Sequence, residues 1–300
     1  MSQMNRRSIK RGLAVSSGLL LALIALVASA ASPQTAIMGI TVGSVNDASF
    51  KVWWVTDTVT DGRIRWGATP ALGHIAEDVR GSSTQTDVHF VTVSGLSPTT
   101  TYYFDVESGG AVVNNGGAHS TLTTGPILGI PGPEAAYGRI MLSNGTAGKV
   151  GAALRVSLQD ADGQGSPGTS APMAALSEGD GWWFVDLGGA RTVNLNGSFE
   201  HSLSGDRLVL FAEGGADGQD YLNAGPGISV PLPNLVLQAC PWDLDSDNQV
   251  AASDLTVAAR AWDKTSGQAG YNALADFDSS GHVGANDIMV IAAHWNQTCP

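Results

Sequence analysis

Two acidic segments near the C-terminus carry oxygen-bearing side chains at fixed intervals: Asp243-Leu-Asp245-Ser-Asp247-Asn-Gln-Val-Ala-Ala-Ser-Asp254 and Asp276-Phe-Asp278-Ser-Ser280-Gly-His-Val-Gly-Ala-Asn-Asp287. In both, loop positions 1, 3, 5 and 12 hold an oxygen. A hard divalent cation such as calcium takes about six to eight oxygens, and a 12-residue loop supplies them from these positions and from the backbone carbonyl at position 7. A lone D-x-D-x-D run reads as a solvated acidic turn. Here the pattern is duplicated in register at an offset of 33 residues, pairing Asp254-Leu255 with Asp287-Ile288, Val257 with Val290, Ala259 with Ala292 and Trp262 with Trp295. Both loops have valine at position 8 (Val250, Val283), and the second has Gly281 where the turn is sharpest, so cation loops are the expectation.

The elements that would hold these loops are helices that leave them. Leu255, Ala258, Ala259 and Trp262 share one helical face, and Ile288, Ile291, Ala292 and Trp295 the equivalent one. No helix enters the first loop, because Gln238-Ala-Cys240-Pro241-Trp242 leads from an apolar strand straight into Asp243. A duplicated loop-plus-exiting-helix unit resembles the type I dockerin domain, over residues 240 to 300. The resemblance implies one calcium site from Asp243, Asp245, Asp247 and Asp254 with the carbonyl of Gln249, and a second from Asp276, Asp278, Ser280 and Asp287 with the carbonyl of His282. Position 9 is Ala251 or Gly284, which leaves that place to water, and Asn248 stands where glycine is usual. Dockerins bind cohesin domains and are often attached to polysaccharide-degrading enzymes. Their partner-reading positions 10 and 11 correspond to Ala252-Ser253 and Ala285-Asn286, which depart from the Ser-Thr pair of cohesin binders.

Cys240 and Cys299, the only cysteines, bracket this unit and read as one disulfide in an exported chain. Export is expected from residues 1 to 30: Arg6, Arg7, Lys10 and Arg11 precede an apolar core from Leu13 to Val27 and the small-residue site Ala28-Ser29-Ala30. A membrane anchor is the competing reading, but the stretch is short and broken by Ser16, Ser17 and Gly18. Cleavage leaves 11 basic against 27 acidic residues, which argues against nucleic acid as a partner. Residues 241 to 300 hold eight aspartates against Arg260 and Lys264 alone.

Upstream, the chain is rich in glycine and alternates apolar and polar residues over short runs, such as Phe50-Lys-Val52-Trp-Trp54, Ile64-Arg-Trp66 and Phe90-Val-Thr-Val93, which predicts a β-sandwich over 31 to 124. Within it, Leu96-Ser-Pro98-Thr-Thr100-Thr-Tyr102-Tyr-Phe104-Asp-Val106 resembles the fibronectin type III signature, with Tyr102 as its corner tyrosine. The segment also looks like the sandwich preceding the catalytic domain of purple acid phosphatases, whose metal motifs have no counterpart among the isolated histidines here. A proline-bearing linker over 125 to 133 leads to a second sandwich over 134 to 238, with strands expected at 137–142, 152–158, 182–187, 207–212 and 234–237. That module resembles the transthyretin-like, carboxypeptidase regulatory-like sandwich. The dockerin-like unit then occupies 239 to 300, so the fold class is mainly β with a small α-helical calcium-loop domain.

Asp160, Asp162, Glu178, Asp180 and Asp186 are better read as turn residues than as a glycosidase pair, since Asp162-Gly163 and Asp180-Gly181 are turn dipeptides. No nucleophile elbow, H-E-x-x-H helix, phosphate-binding glycine loop or Cys/His zinc cluster occurs. The leading expectation is a secreted, non-catalytic protein, extracellular or at the cell surface, that docks a cohesin-like or other extracellular protein through two calcium loops. One alternative is a carbohydrate-binding accessory protein, using the exposed member of Trp53-Trp54 or the run Trp182-Trp183-Phe184 on a polysaccharide. The other is a hydrolase of unrecognised type in the second sandwich.

Overall fold

A computed structural model describes residues 35 to 299 except 130, 131, 239, 246, 248, 278, 279 and 298. The expected export signal, Asn248 and the expected ligand Asp278 therefore lie outside the described residues. The first strands are β1 (Ile37–Gly43), β2 (Ser49–Thr60), β3 (Gly62–Gly67), β4 (His74–Glu77), β5 (Thr86–Ser94), β6 (Thr101–Ser108), β7 (Ala111–Val113) and β8 (Ser120–Thr123). They form two antiparallel sheets, β1-β2-β5 and β4-β3-β6, with β7 and β8 both pairing β6. Phe50, Val52, Trp54, Val91 and Val93 from the one sheet meet Ile64, Tyr102, Phe104 and Val106 from the other. The hydroxyl of Tyr102 reaches back to accept a hydrogen bond from the Ser97 amide at 2.8 Å, pinning the turn into β6.

The second group is β9 (Ala135–Met141), β10 (Ala153–Gln159), β11 (Met173–Leu176), β12 (Trp182–Asp186), β13 (Arg207–Glu213), β14 (Gln219–Ala224) and β15 (Leu235–Val236). One sheet runs β11-β10-β13-β14 and the other β12-β9-β15, where β15 lies parallel to β9. Leu154, Val156, Leu158, Leu208 and Leu210 pack against Ile140, Trp183, Val185 and Leu235 between them. The expected strands are present with ends shifted by a residue or two, whereas β11 and β14 have no counterpart among them. Every residue of β14 is half-buried, so no alternation marks it.

The tryptophan pair requires a correction. Alternation on β2 would leave one of Trp53 and Trp54 in solvent, yet both are buried, at 3% and 0% exposure. Trp54 faces its own sandwich, where its indole donates to Ser108 Oγ at 2.8 Å. Trp53 faces outward and is covered by the second sandwich, stacking on Phe211 of β13 with ring centroids 6.4 Å apart. Val88, Phe90, Ala153 and Ala174 complete this third apolar cluster. Polar ties border it: Ser44 N donates to Pro172 O at 2.8 Å, Lys51 Nζ to Ala174 O at 3.0 Å and Ala216 N to Asp87 at 2.7 Å. The start of the proline-bearing segment is held as well, since Arg191 donates to Pro126 O at 2.9 Å and to Asp47 at 3.1 Å.

His89 sits in the first core, stacked on Trp54 at 5.1 Å, and burial pushes its pKa down to about 4. Gly62 lets this ring approach, for a Cβ there would meet His89 Nδ1 at 2.3 Å. Asp162-Gly163 and Asp180-Gly181 are turns, as expected, with φ of +73° and +79° at the two glycines.

The C-terminal segment contributes α1 (Ala252–Arg260) and α2 (Ala285–Ala293). Val250, Ala258, Ala261, Ala275, Val283 and Ile291 form its own small core beside a disulfide between Cys240 and Cys299. Closing 59 residues with that bond restricts the unfolded chain by about 4 kcal/mol in the loop-entropy account.

Two tests follow from the sandwich cores. Tyr102→Phe removes the acceptor of Ser97 N and should lower stability by about 1 kcal/mol, read by chemical denaturation. The second concerns Glu213, whose carboxyl burial raises from an ordinary 4.5 to about 7. The folded chain holds that proton more tightly than the unfolded chain, so its contribution is complete below pH 4.5 and is lost as pH rises through about 7. Glu213→Gln should therefore melt a few °C above the parent at pH 8 and show no such advantage at pH 4.5, and equal differences at both values would refute this assignment.

Candidate metal centre

Each acidic loop is built around a helix start. Asp254 is the third residue of α1 and wholly buried, and its carboxylate accepts from Leu244 N at 2.6 Å and Ala251 N at 2.7 Å. Asp287 occupies the same place in α2, accepting from Gly284 N at 2.7 Å. A carboxylate in the first turn of a helix satisfies amides that have no intrahelical partner and lies at the positive end of the helix dipole. Position 12 thus has a structural reason to be aspartate before any ion is considered.

The position-1 carboxylates fold the loop entry. Asp243 Oδ1 accepts from Asp247 N at 3.1 Å, and Asp276 takes Ser280 N at 3.0 Å and Gly281 N at 2.8 Å. Gly281 has φ +78°, the left-handed turn the pattern required at position 6. In the first loop side chains converge: oxygens of Asp243, Asp245 and Asp247 lie within 4.8 Å of one another. Three carboxylates at that separation repel in the absence of a cation and can share one in its presence. In the second loop Ser280 Oγ donates to the carbonyl of His282 at 3.0 Å. Positions 5 and 7 are thereby as close as neighbouring ligands around an ion bound at about 2.3–2.6 Å. Gln249 lies exposed at the matching position of the first loop, its amide donating to Asp247 at 2.9 Å.

The two halves complete each other. Val250 at position 8 of the first loop exchanges backbone hydrogen bonds with Asn296 and Gln297, which follow α2; Val283 of the second loop does the same with Asp263 and Lys264, which follow α1. All four bonds measure 2.9–3.0 Å. Each loop is therefore braced by the tail of the other helix. Of the proposed partner-reading positions, Ala252, Ala285 and Asn286 are exposed and Ser253 is half-buried, all in the first turns of the helices. Trp262 and Trp295 lie just past the helix ends and are 48% and 43% exposed, while the buried contacts of the shared helical faces come from Ala258 and Ile291.

Sequence patterning missed Tyr271. Its hydroxyl donates to Asp276 Oδ2 at 2.6 Å and is hydrogen-bonded to Tyr221 on β14. Burial first, and the bond to Asp276 second, push the Tyr271 phenol far above its ordinary range, so it stays a proton donor. Ser266 adds bonds to Asn223 at 3.3 Å and Gln159 at 3.4 Å, so the second loop rests on the second sandwich. A tyrosine five residues before an acidic loop gave no signal, because its partner is set by the chain's return and not by local spacing. A further acidic group, Asp160, Asp162 and Asp206, also brings oxygens within 4.8 Å. Its carboxylates serve local turns: Asp160 accepts from Gly163 N, Asp162 from Gln164 N, and Asp206 from Ala161 N and Ser202 N.

No family model matches the sequence, and no curated protein matches it. Among solved structures, a chain of a type II cohesin–X-dockerin complex from Acetivibrio cellulolyticus, an N-terminal interface mutant, is 12% identical; the match covers 55% of this chain and 97% of that one, with a TM-score of 0.21. The FN1–FN3 domains of chicken CNTN1 are 13% identical over 67% of this chain and 64% of that one, with a TM-score of 0.22. Likenesses this low carry no argument about kinship, and the functional reading rests on the site itself.

Tyr271→Phe should weaken cation uptake about tenfold at the second loop and less at the first, since a hydrogen bond to a charged group contributes about 1.5–3 kcal/mol. Calorimetric titration resolves the two sites, and an equal loss at both would refute a local role for this hydroxyl.

Proposed function

We propose that this is an exported, non-catalytic docking protein whose C-terminal duplicated loop-helix unit is dockerin-like and binds two calcium ions. The observation that carries the reading is the convergence of Asp243, Asp245 and Asp247 within 4.8 Å at a loop closed by buried Asp254. The ligand set is all oxygen and rich in carboxylate, which suits calcium over softer metals. The reciprocal bracing of the loops supports a paired, pseudo-twofold unit, and eight aspartates against two basic residues support a requirement for cations. In this reading the second site uses Asp276, Asp278, Ser280, Asp287 and the carbonyl of His282.

The upstream half of the reading is a fibronectin type III-like sandwich followed by a transthyretin-like one. Three strands facing a sheet of five, with the Tyr102 hydroxyl returning to Ser97, support the first. The two form a stalk that presents the calcium unit to an extracellular, cohesin-like protein partner through the first turns of α1 and α2. Among the described residues no helix is long and apolar enough to cross a membrane.

Calorimetry of the full chain should detect two calcium ions, and chelation should lower the melting temperature of the C-terminal unit. Capture of a partner from the native secretome should require calcium. A melting profile unmoved by chelator would overturn the reading. Within it, Asp243→Ala should cost more affinity than Asp276→Ala, because the first loop has four carboxylates and the second three. Titration of the two variants ranks them, and the opposite order would assign control to backbone geometry at Gly281.

A further inference from the structure

A cleft of about 790 Å³ opens to solvent where the two sandwiches meet, within the range of roughly 300–1,000 Å³ typical of small-ligand sites. Lys51, Phe90 and Thr92 line it from the first sandwich, and Tyr137, Trp182 and Phe184 from the second. Strand β12 alternates cleanly here. Trp183 and Val185 point into the core, while Trp182 and Phe184 point out and are 46% and 61% exposed. Side chains two apart on a strand lie about 6.5 Å from one another, so the two rings form a strip. Tyr137 extends it sideways, being the cross-strand neighbour of Phe184 with its ring 6.4 Å from that of Trp182.

The strip is held in place before any ligand arrives. Arg139, opposite Trp182 in the ladder, lays its guanidinium 5.5 Å from the indole and is ion-paired with Asp180. One side of the tryptophan is thereby covered and the ring is oriented. Two large aromatics left half-exposed side by side form an apolar patch of the kind that marks a binding surface.

The surrounding polar groups select the ligand class. Lys51 and Glu178 both line the cleft, and the neighbouring Arg139 is ion-paired with Asp180, so the cleft carries no excess positive charge for a polyanion. Flat apolar rings with Lys51, Thr92 and Glu178 in the same lining match a pyranose, which offers C–H groups on its face and hydroxyls on its rim. We propose that this cleft binds a segment of neutral polysaccharide, with Trp182 and Phe184 as stacking platforms and Lys51, Thr92 and Glu178 as partners of its hydroxyls. Burial removes Trp53, Trp54 and Trp183 from that role.

Affinity electrophoresis tests the assignment. The full chain, with calcium saturating, is run through native gels containing xylan, mixed-linkage β-glucan or galactomannan, and through polygalacturonate as a polyanionic control. Retardation is expected in at least one neutral gel, with apparent affinity at least tenfold lower for Trp182→Ala and Phe184→Ala at unchanged melting temperature. Retardation of the parent, taken relative to its mobility in a polysaccharide-free gel, should be the same with chelator in place of calcium, which separates this outcome from the calcium reading. Absence of retardation in every neutral gel, retardation indifferent to both substitutions, or retardation in polygalacturonate alone would each overturn the proposal.

Discussion

The burial of Trp53 between sheets of two different sandwiches is the contact on which the upstream architecture depends. A large aromatic on the outer face of a sandwich is costly to leave in water, and here it stacks on Phe211 within a cluster that also takes Val88, Phe90, Ala153 and Ala174. That cluster fixes one sheet against another, and the cleft beside it exists only because they are fixed. Both partners of the contact are ordinary strand residues. Their outward placement means the second sandwich supplies the missing half of a core that the first begins.

At the C-terminal end a different constraint governs. Helices of nine residues have little stability alone, and the apolar core beneath them is small. What compensates is mutual bracing. Each loop pairs its backbone with the tail of the opposite helix. A change that loosens one half is therefore felt at the other half's acidic loop, and any cation of the proposed function would act on a unit already closed by hydrogen bonds and a disulfide.

How much of this was legible in sequence varied with the range of the interaction responsible. Position-specific chemistry was readable, because Asp243, Asp247 and Asp254 act on amides within a dozen residues and Gly281 answers a local turn. The strands of the second sandwich were readable where alternation survived. Legibility failed where a surface is covered by something distant: Trp53 looked half-exposed because its cover arrives from residues beyond 150, and β14 lost its alternation because the C-terminal unit rests on it. Tyr271 was invisible for the same reason. Alternation at Trp182 and Phe184, by contrast, was faithful, since both rings stay about half exposed on that face.

The disulfide has one more effect, which is topological. It brings Cα atoms of Cys240 and Cys299 to 5.8 Å, so the chain enters and leaves the loop-helix unit at a single point. A unit whose two ends coincide makes no demand on the span of whatever carries it. It can hang from a strand end, as it does after β15, or be inserted into a surface turn, without prising its host apart. Covalent closure thus makes this segment portable: in genetic terms it has the form of a cassette, whose acidic loops and their reciprocal bracing would travel together.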